Sequence, residues 1–575
     1  MGTRRIALVL FVAACLSVGI VAGQAPKPAP LPVNTDPVRQ ADLKRWLTTL
    51  ASDAMEGRVN GTDSLVRAGD YLAAEAGAIG LEPGGDNGTF FENFQVTGAR
   101  TVTNRSTLTV EVNGQTRVFR HGEGVRFPPF VGGRRSFTLD QVEFIGYGLD
   151  DPALRHDDFA GKDLRGKAVV WLGLRGPKGA MRVATEFLRP AAAAQSGAAA
   201  FVGPTPAAQA VAKGEAAGRP PAGGPQTPTI DFTTVRPLDD AAPPPLALNV
   251  LQPEAFYSFL LTGSGVTYPD LETKANLGAP LPSFTLKGVK LTFNLDADYA
   301  VVRSNATRNV VGILRGSDPA LGNTYVVLGA HYDHIATGVS DRLPAGPAPR
   351  AAAPAGAAAP ATSAAVDHIY NGADDDASGC AALLAIAQAL AQGPRPRRTV
   401  VFVWFAAEER GLLGSQYHAT YGPPSDRVAA MLDLDMVGRN ADNRPEAENT
   451  VYVVGADRIS TELHNINEDA NASLPGHLTL DYRYNDRSLE GMMYFSSDHY
   501  SYALKGIPVI LFSTGRHPDY HRVTDSVDRI EFPKLARIAR LVCETTKRMA
   551  NLDHAPVRDR RGPRAGKGHV GRIAK

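Results

Sequence analysis

Tyr325-Val326-Val327-Leu328-Gly329-Ala330 runs directly into His331-Tyr332-Asp333-His334. Six apolar or small residues without a polar face describe a strand covered on both sides, as in a parallel or mixed sheet packed between helices. The polar string that ends the run then falls outside the carboxyl end of a strand, where open α/β sheets bind their ligands. Five further runs share this texture, at residues 310–314, 399–405, 431–436, 450–454 and 508–512. Helical stretches alternate with them, among them 378–392 and 533–549, and residues 36–80 add two amphipathic helices around 38–51 and 62–78. The expected fold class is therefore α/β, with a mostly parallel, mixed central sheet and helices on both faces.

Outward from this core the texture changes. Residues 101–284 are strand- and turn-rich, with few residue types that carry catalysis, and read as an inserted β-rich domain between a short first part (24–100) and the main body (285–555). Residues 203–245 and 343–365 are rich in Ala, Pro and Gly and lack periodicity, as loops or insertions do. The first 23 residues have Arg4 and Arg5, an apolar run at 6–22 and a small-residue exit, the pattern of a secretory signal peptide. Val12-Ala13-Ala14-Cys15 also loosely matches a bacterial lipoprotein site, so lipid anchoring through Cys15 stands beside secretion or periplasmic export. No membrane span is expected after signal removal. Cys380 and Cys543 then remain, expected as buried free thiols, with a bridge between them in an oxidising compartment as the alternative. Residues 556–575 carry seven Lys and Arg against one acid and read as a disordered basic tail.

The chain has 575 residues, with 60 Lys and Arg against 59 Asp and Glu. This balance averages unlike parts: the signal carries +2 and the tail +6, which leaves the body at −7. An acidic body excludes the basic face that nucleic acid requires. The three cysteines, none in a CxxC pair, exclude a disulfide scaffold.

Five strings could carry chemistry, and each follows a strand. His331 offers an imidazole to a borderline-soft divalent metal, and Asp333 a carboxylate to fix its tautomer. Asp374-Asp375-Asp376, before Ala377-Ser378-Gly379, supplies more acid than helix capping needs, and one of the three could bridge two cations. Glu408-Glu409 offers one carboxylate for metal and one as a base. Asp435 lies in the apolar run Leu432 to Val437, where an unpaired carboxylate is costly. His521 follows the run at 508–512, in the string Tyr520-His521 that leads to Asp525-Ser526. Together they could ligate two divalent ions through a shared carboxylate, with nitrogen and oxygen ligation that suits zinc and hydrolytic chemistry. The chain has no HExxH, GxGxxG, Walker loop or GxSxG elbow.

These strings, in this order and spacing, resemble the co-catalytic dizinc aminopeptidases, metallopeptidase family twenty-eight. Leu50-Ala51-Ser52-Asp53 with Glu56-Gly57-Arg58, and Ser497-Asp498-His499-Tyr500 before Gly506-Ile507-Pro508-Val509, add to the resemblance. It implies a zinc-exopeptidase fold and two Zn2+ per chain. His331 and Asp435 would hold one ion and Glu409 and His521 the other, with Asp375 as bridge. Glu408 would be the general base and Asp333 the partner of His331. The implied activity is hydrolysis of the N-terminal peptide bond of peptides with a free N-terminus, through a hydroxide held by the two metals. Glutaminyl-cyclase-like acyl transfer, carboxypeptidase or dipeptidase action on the same scaffold, and a non-enzymatic binding role are the alternatives; the oligomeric state is left open. Within the insert, Val142 to Gly148, Asp158 to Lys162 and Gly166 to Val170 resemble a protease-associated domain.

Overall fold

The computed structural model describes residues 37–128, 134–151, 154–180, 189, 192–193, 196–204, 231–235, 246–335, 367–485, 493–559 and 572–573. The signal segment with Cys15, the Ala/Pro-rich stretch 343–365, most of 203–245 and most of the basic tail lie outside them.

The unit beginning at Val38 is built on a ten-stranded mixed sheet. Its elements are α1 (Gln40–Leu50), α2 (Asp63–Ile79), β1 (Phe91–Asn104), β2 (Ala297–Leu314), β3 (Tyr325–His331), α3 (Ala377–Gln392), β4 (Thr399–Phe405), α4 (Leu413–Tyr421), β5 (Val428–Leu434), β6 (Thr450–Val454), α5 (Thr461–Ser473), β7 (Thr479–Asp481), β8 (Val509–Ser513) and α6 (Phe532–Asn551). From one edge the order is Asp231–Val235, β1, β2, β4, β3, β5, β8, β6, β7, with Glu82–Pro83 also paired to β2. The four central strands β4, β3, β5 and β8 are mutually parallel, and antiparallel pairs flank them on both sides. Parallel pairing in the middle explains the uninterrupted apolar runs, since those strands bury both faces. Alternate residues feed two cores. Val326, Leu328, Val400, Phe402, Leu432 and Phe512 pack with residues of α1, α2, α3, α5 and α6. Val327, Val401, Val403, Met431, Val509 and Leu511 pack on the other face with Tyr494, Tyr502 and Ile507.

Asn104 and Ala297 are cross-strand partners, so β1 and β2 form a continuous antiparallel ribbon from which the inserted region departs and to which it returns. The insert has a six-stranded sheet, a four-stranded sheet, the helices Pro253–Leu260 and Tyr268–Asn276, and a core of its own containing Val110, Phe144, Val170, Val202, Phe256 and Leu291. The strand Val289–Leu295 pairs with Thr107–Val112 and Arg135–Leu139, so this body continues past residue 284, the boundary expected from sequence. Conversely, Asp231–Val235, from the Pro-rich stretch, extends the central sheet along β1.

The tail also differs from expectation. Asp559 accepts the Thr461 amide at 3.0 Å and Glu462 the Val557 amide at 2.9 Å, both in the first turn of α5. Ile573 exchanges two hydrogen bonds with the Asn465 side chain. The helix-start amide of Thr461 draws in Asp559, side chains of α5 hold Val557 and Ile573, and the described tail residues are docked rather than disordered. Cys380 and Cys543 are buried free thiols. Among the described residues, no helix is long and apolar enough to cross a membrane.

Candidate metal centre

The carboxyl ends of β3, β4, β5 and β8 and the start of α3 converge on one cluster. His331 is the last residue of β3. Its Nδ1 lies 3.1 Å from the Asp333 backbone carbonyl, which can only accept, so Nδ1 carries a proton and Nε2 faces the cluster. From Nε2 the distances are 3.3 Å to Asp375 Oδ1, 3.7 Å to Asp435 Oδ1 and 4.0 Å to Glu408 Oε2. The Asp333 carboxylate is 3.8 Å from His331 Nδ1 and accepts the Glu408 amide at 3.0 Å. The orienting contact to His331 thus comes from the Asp333 main chain, and its carboxylate steadies the loop of Glu408.

The three consecutive acids divide by backbone satisfaction. Asp376 caps α3 through the Gly379 amide and also accepts the amides of His331 and Met436. Asp374 accepts the Gly438 amide at 2.6 Å and faces His517 Nε2 at 3.3 Å. Only Asp375 turns its carboxylate to the cluster, with Oδ1 towards His331 and Oδ2 3.0 Å from His521 Nε2 and 3.8 Å from His334 Nδ1. Gly372, at φ +53°, permits this turn, because a Cβ there would sit 2.2 Å from the Asp375 carbonyl oxygen. Glu409 Oε1 completes the second side, 3.2 Å from His521 Nε2 and 3.0 Å from His334 Nδ1.

Two groups of donors result, His331 with Asp375 and Asp435, and His334 with Asp375 and Glu409; within each, the donor atoms lie within 4.8 Å of one another. Asp375 is common to both, and His521 lies against the second. All seven residues singled out from sequence fall in this neighbourhood. His334 was quoted in its string without a role; the signal was a second imidazole three residues past the first. Arg58 was likewise without a role. It is buried and donates to the carbonyls of Leu50, Tyr332, Asn371 and Gly372, tying together the loops that leave β3 and enter α3.

The electrostatics follow from burial and crowding. Burial opposes charging of every member. Against it, Glu408, Asp375 and Asp435 hold His331 protonated well above the usual histidine range. Burial likewise opposes His521, which Asp375 and Glu409 raise to about 10. Burial and the repulsion of Asp375 oppose ionisation of Glu409, yet His334 and His521 draw it down to about 2. Burial lifts Glu408 well above the carboxylate range, helped by Glu409, Asp498 and Asp435. A site whose histidines need extra protons and whose carboxylates crowd together is short of positive charge. Asp375 Oδ2 and His521 Nε2 are buried atoms without an aligned hydrogen-bond partner, so the residues fit divalent ions with nitrogen and oxygen ligands.

Residues 309–546 match Peptidase family M28. A probable zinc metalloprotease of Pyrenophora teres f. teres is 38% identical over 132 residues, which cover 23% of this chain and 23% of that protein. Leucine aminopeptidase 1 of Ajellomyces capsulatus is 28% identical over 249 residues, 41% of this chain and 55% of the relative. The chain thus spans under a quarter of the first relative's length and about half of the second's. Among solved structures, an aminopeptidase from Aneurinibacillus sp. strain AM-1 aligns over 90% of this chain and 96% of its own, at 20% identity and a TM-score of 0.42.

Proposed function

We propose that this chain is an exported, zinc-dependent aminopeptidase that removes N-terminal residues from peptides. The observation that carries the reading is Asp375, whose two oxygens face two separate histidine–carboxylate groups beside a free, proton-avid glutamate. His331 and Asp435 would hold one zinc, Glu409 and His521 the other, and Asp375 both. His521 lies closer to Asp375 than His334 does and is a third exposed, so it is the ligand facing the cleft, while buried His334 steadies Glu409. When bound, the ions supply Lewis acidity, polarising a carbonyl and easing deprotonation of water. Relatives named zinc metalloprotease and leucine aminopeptidase support both metal and reaction.

Glu408 is the base. Its carboxylate lies at the rim of the first group, 4.0 Å from His331 Nε2, and its raised proton affinity suits a group that accepts a proton from water and returns it to the leaving amine. The surrounding carboxylates offer the free α-amine of a substrate an anionic seat, which favours cleavage at the N-terminus. The insert, as a protease-associated module, positions longer substrates.

Glu408→Gln tests the assignment. Zinc content by elemental analysis should be unchanged while hydrolysis of aminoacyl anilides falls roughly a hundredfold to ten-thousandfold. Near-normal turnover removes Glu408 from the role. Release from free but not N-blocked peptides separates an aminopeptidase from an endopeptidase, and a peptide beginning with glutamine exposes any cyclase activity.

A further inference from the structure

Asp525 lies four residues beyond His521, fully buried. Its two oxygens accept the Asp374 amide at 3.1 and 3.0 Å, Oδ2 also accepts the Asp375 amide at 3.1 Å, and its own carbonyl accepts the Ala373 amide at 3.2 Å. Three successive amides of the segment carrying Asp375 are thereby sewn to the segment carrying His521. Arg439, also buried, faces this knot with Nη1 3.9 Å from Asp525 Oδ1, while its Nη2 donates to Asp519 at 2.8 Å. Asp519 in turn accepts the Thr524 hydroxyl at 2.7 Å, which pins the His521 loop on its other side. Asp374 continues the lacing to the Gly438 amide, three residues past Asp435.

We infer that Asp525 is a positioning residue that holds the two ion sites in one register, so that loosening it weakens both together. The inference rests on the zinc reading above. A carboxylate whose two oxygens accept backbone amides is suited to this task; asparagine in its place turns an amide NH2 against those N–H groups and forfeits part of the acceptance.

The test is titration of full-length protein with buffered free zinc, comparing wild type, Asp525→Asn and His521→Ala. Asp525→Asn should raise both zinc dissociation constants, about ten- to a hundredfold, whereas His521→Ala should raise chiefly one. Saturating zinc should return the kcat of Asp525→Asn to near wild type with KM unchanged, which distinguishes positioning from chemistry. Amide exchange of zinc-free Asp525→Asn should quicken across residues 372–379 and stay unchanged in β3 and β5. Arg439→Gln, which leaves the carboxylate and removes its cation, should weaken both sites in the same direction. Asp525→Asn with both affinities at wild-type values, or with only one weakened, overturns the inference. A wild-type protein that binds no zinc overturns the zinc reading itself, a different result from intact two-site binding in wild type and variant alike.

Discussion

His521 has a left-handed backbone, φ +56°, and its imidazole is wedged between Asp375 and Glu409. In zinc-free protein this arrangement makes stability depend on pH. The histidine is raised to about 10, so its contribution is complete below its unfolded value of roughly 6.5 and is lost as pH climbs through the folded value. Glu409, lowered to about 2, contributes above its unfolded value of roughly 4.3 and fades below it. Zinc-free protein should therefore show its highest Tm at roughly pH 4.5–6.5 as far as this pair is concerned, and a falling Tm from pH 7 to 9. Because zinc replaces the proton, its affinity should rise over the same alkaline span and erase the fall. Melting curves with and without zinc check both, and a flat zinc-free profile from pH 6 to 9 contradicts the charge assignment. At this scale the sequence exposed the donors, since acids and histidines at the ends of apolar strands stand out. Arg58 and Asp525 lie in strings that the resemblance includes, but the sequence concealed what they do: Arg58 acts largely through carbonyls more than two hundred residues away, and Asp525 through three amides, contacts that leave no local pattern.

Among the elements, the start of α3 bears the tightest constraint. Gly379 lies so close to the end of β5 that an added Cβ would sit 2.3 Å from the Leu434 carbonyl and 2.5 Å from the Asp376 carboxylate. A backbone carbonyl in a central strand cannot step aside, so Gly379→Ala should cost roughly 1–3 kcal/mol in denaturant unfolding. It should also weaken zinc binding, because Asp376 is displaced beside Asp375. Unchanged stability would mean that α3 can slide away from the sheet. Strand positions were legible to within a few residues wherever both faces are covered, as at Thr399–Phe405 and Thr450–Val454. β2 was read from residue 310 although it begins at Ala297. Its first half, with Arg303, Ser304, Asn305, Thr307, Arg308 and Asn309, belongs to the ribbon with β1 and lacks the apolar run by which a doubly covered strand is recognised.

Taken whole, the unit has separate apolar cores for the central sheet and for the insert. Replacing residues 105–296 by a two-residue turn should therefore leave a peptidase body that folds, binds zinc and cleaves aminoacyl anilides, while losing discrimination among longer peptides. Its weakness would be the bared edge of β1, which Asp231–Val235 otherwise covers, so solubility is expected to drop. Loss of zinc binding in this variant would show instead that the insert helps to build the metal centre. The ribbon that joins the two bodies also bears on the order of events during synthesis. β1 and β2 are neighbours in space but stand at opposite ends of a very long stretch of chain, and pairing them directly means closing a loop of about 190 residues, a slow and entropically unfavourable encounter. An insert that folds first brings Asn104 and Ala297 side by side and reduces that encounter to the zipping of a hairpin. The module then acts as a folding template for its host, setting the first antiparallel pair on which the rest of the central sheet can grow.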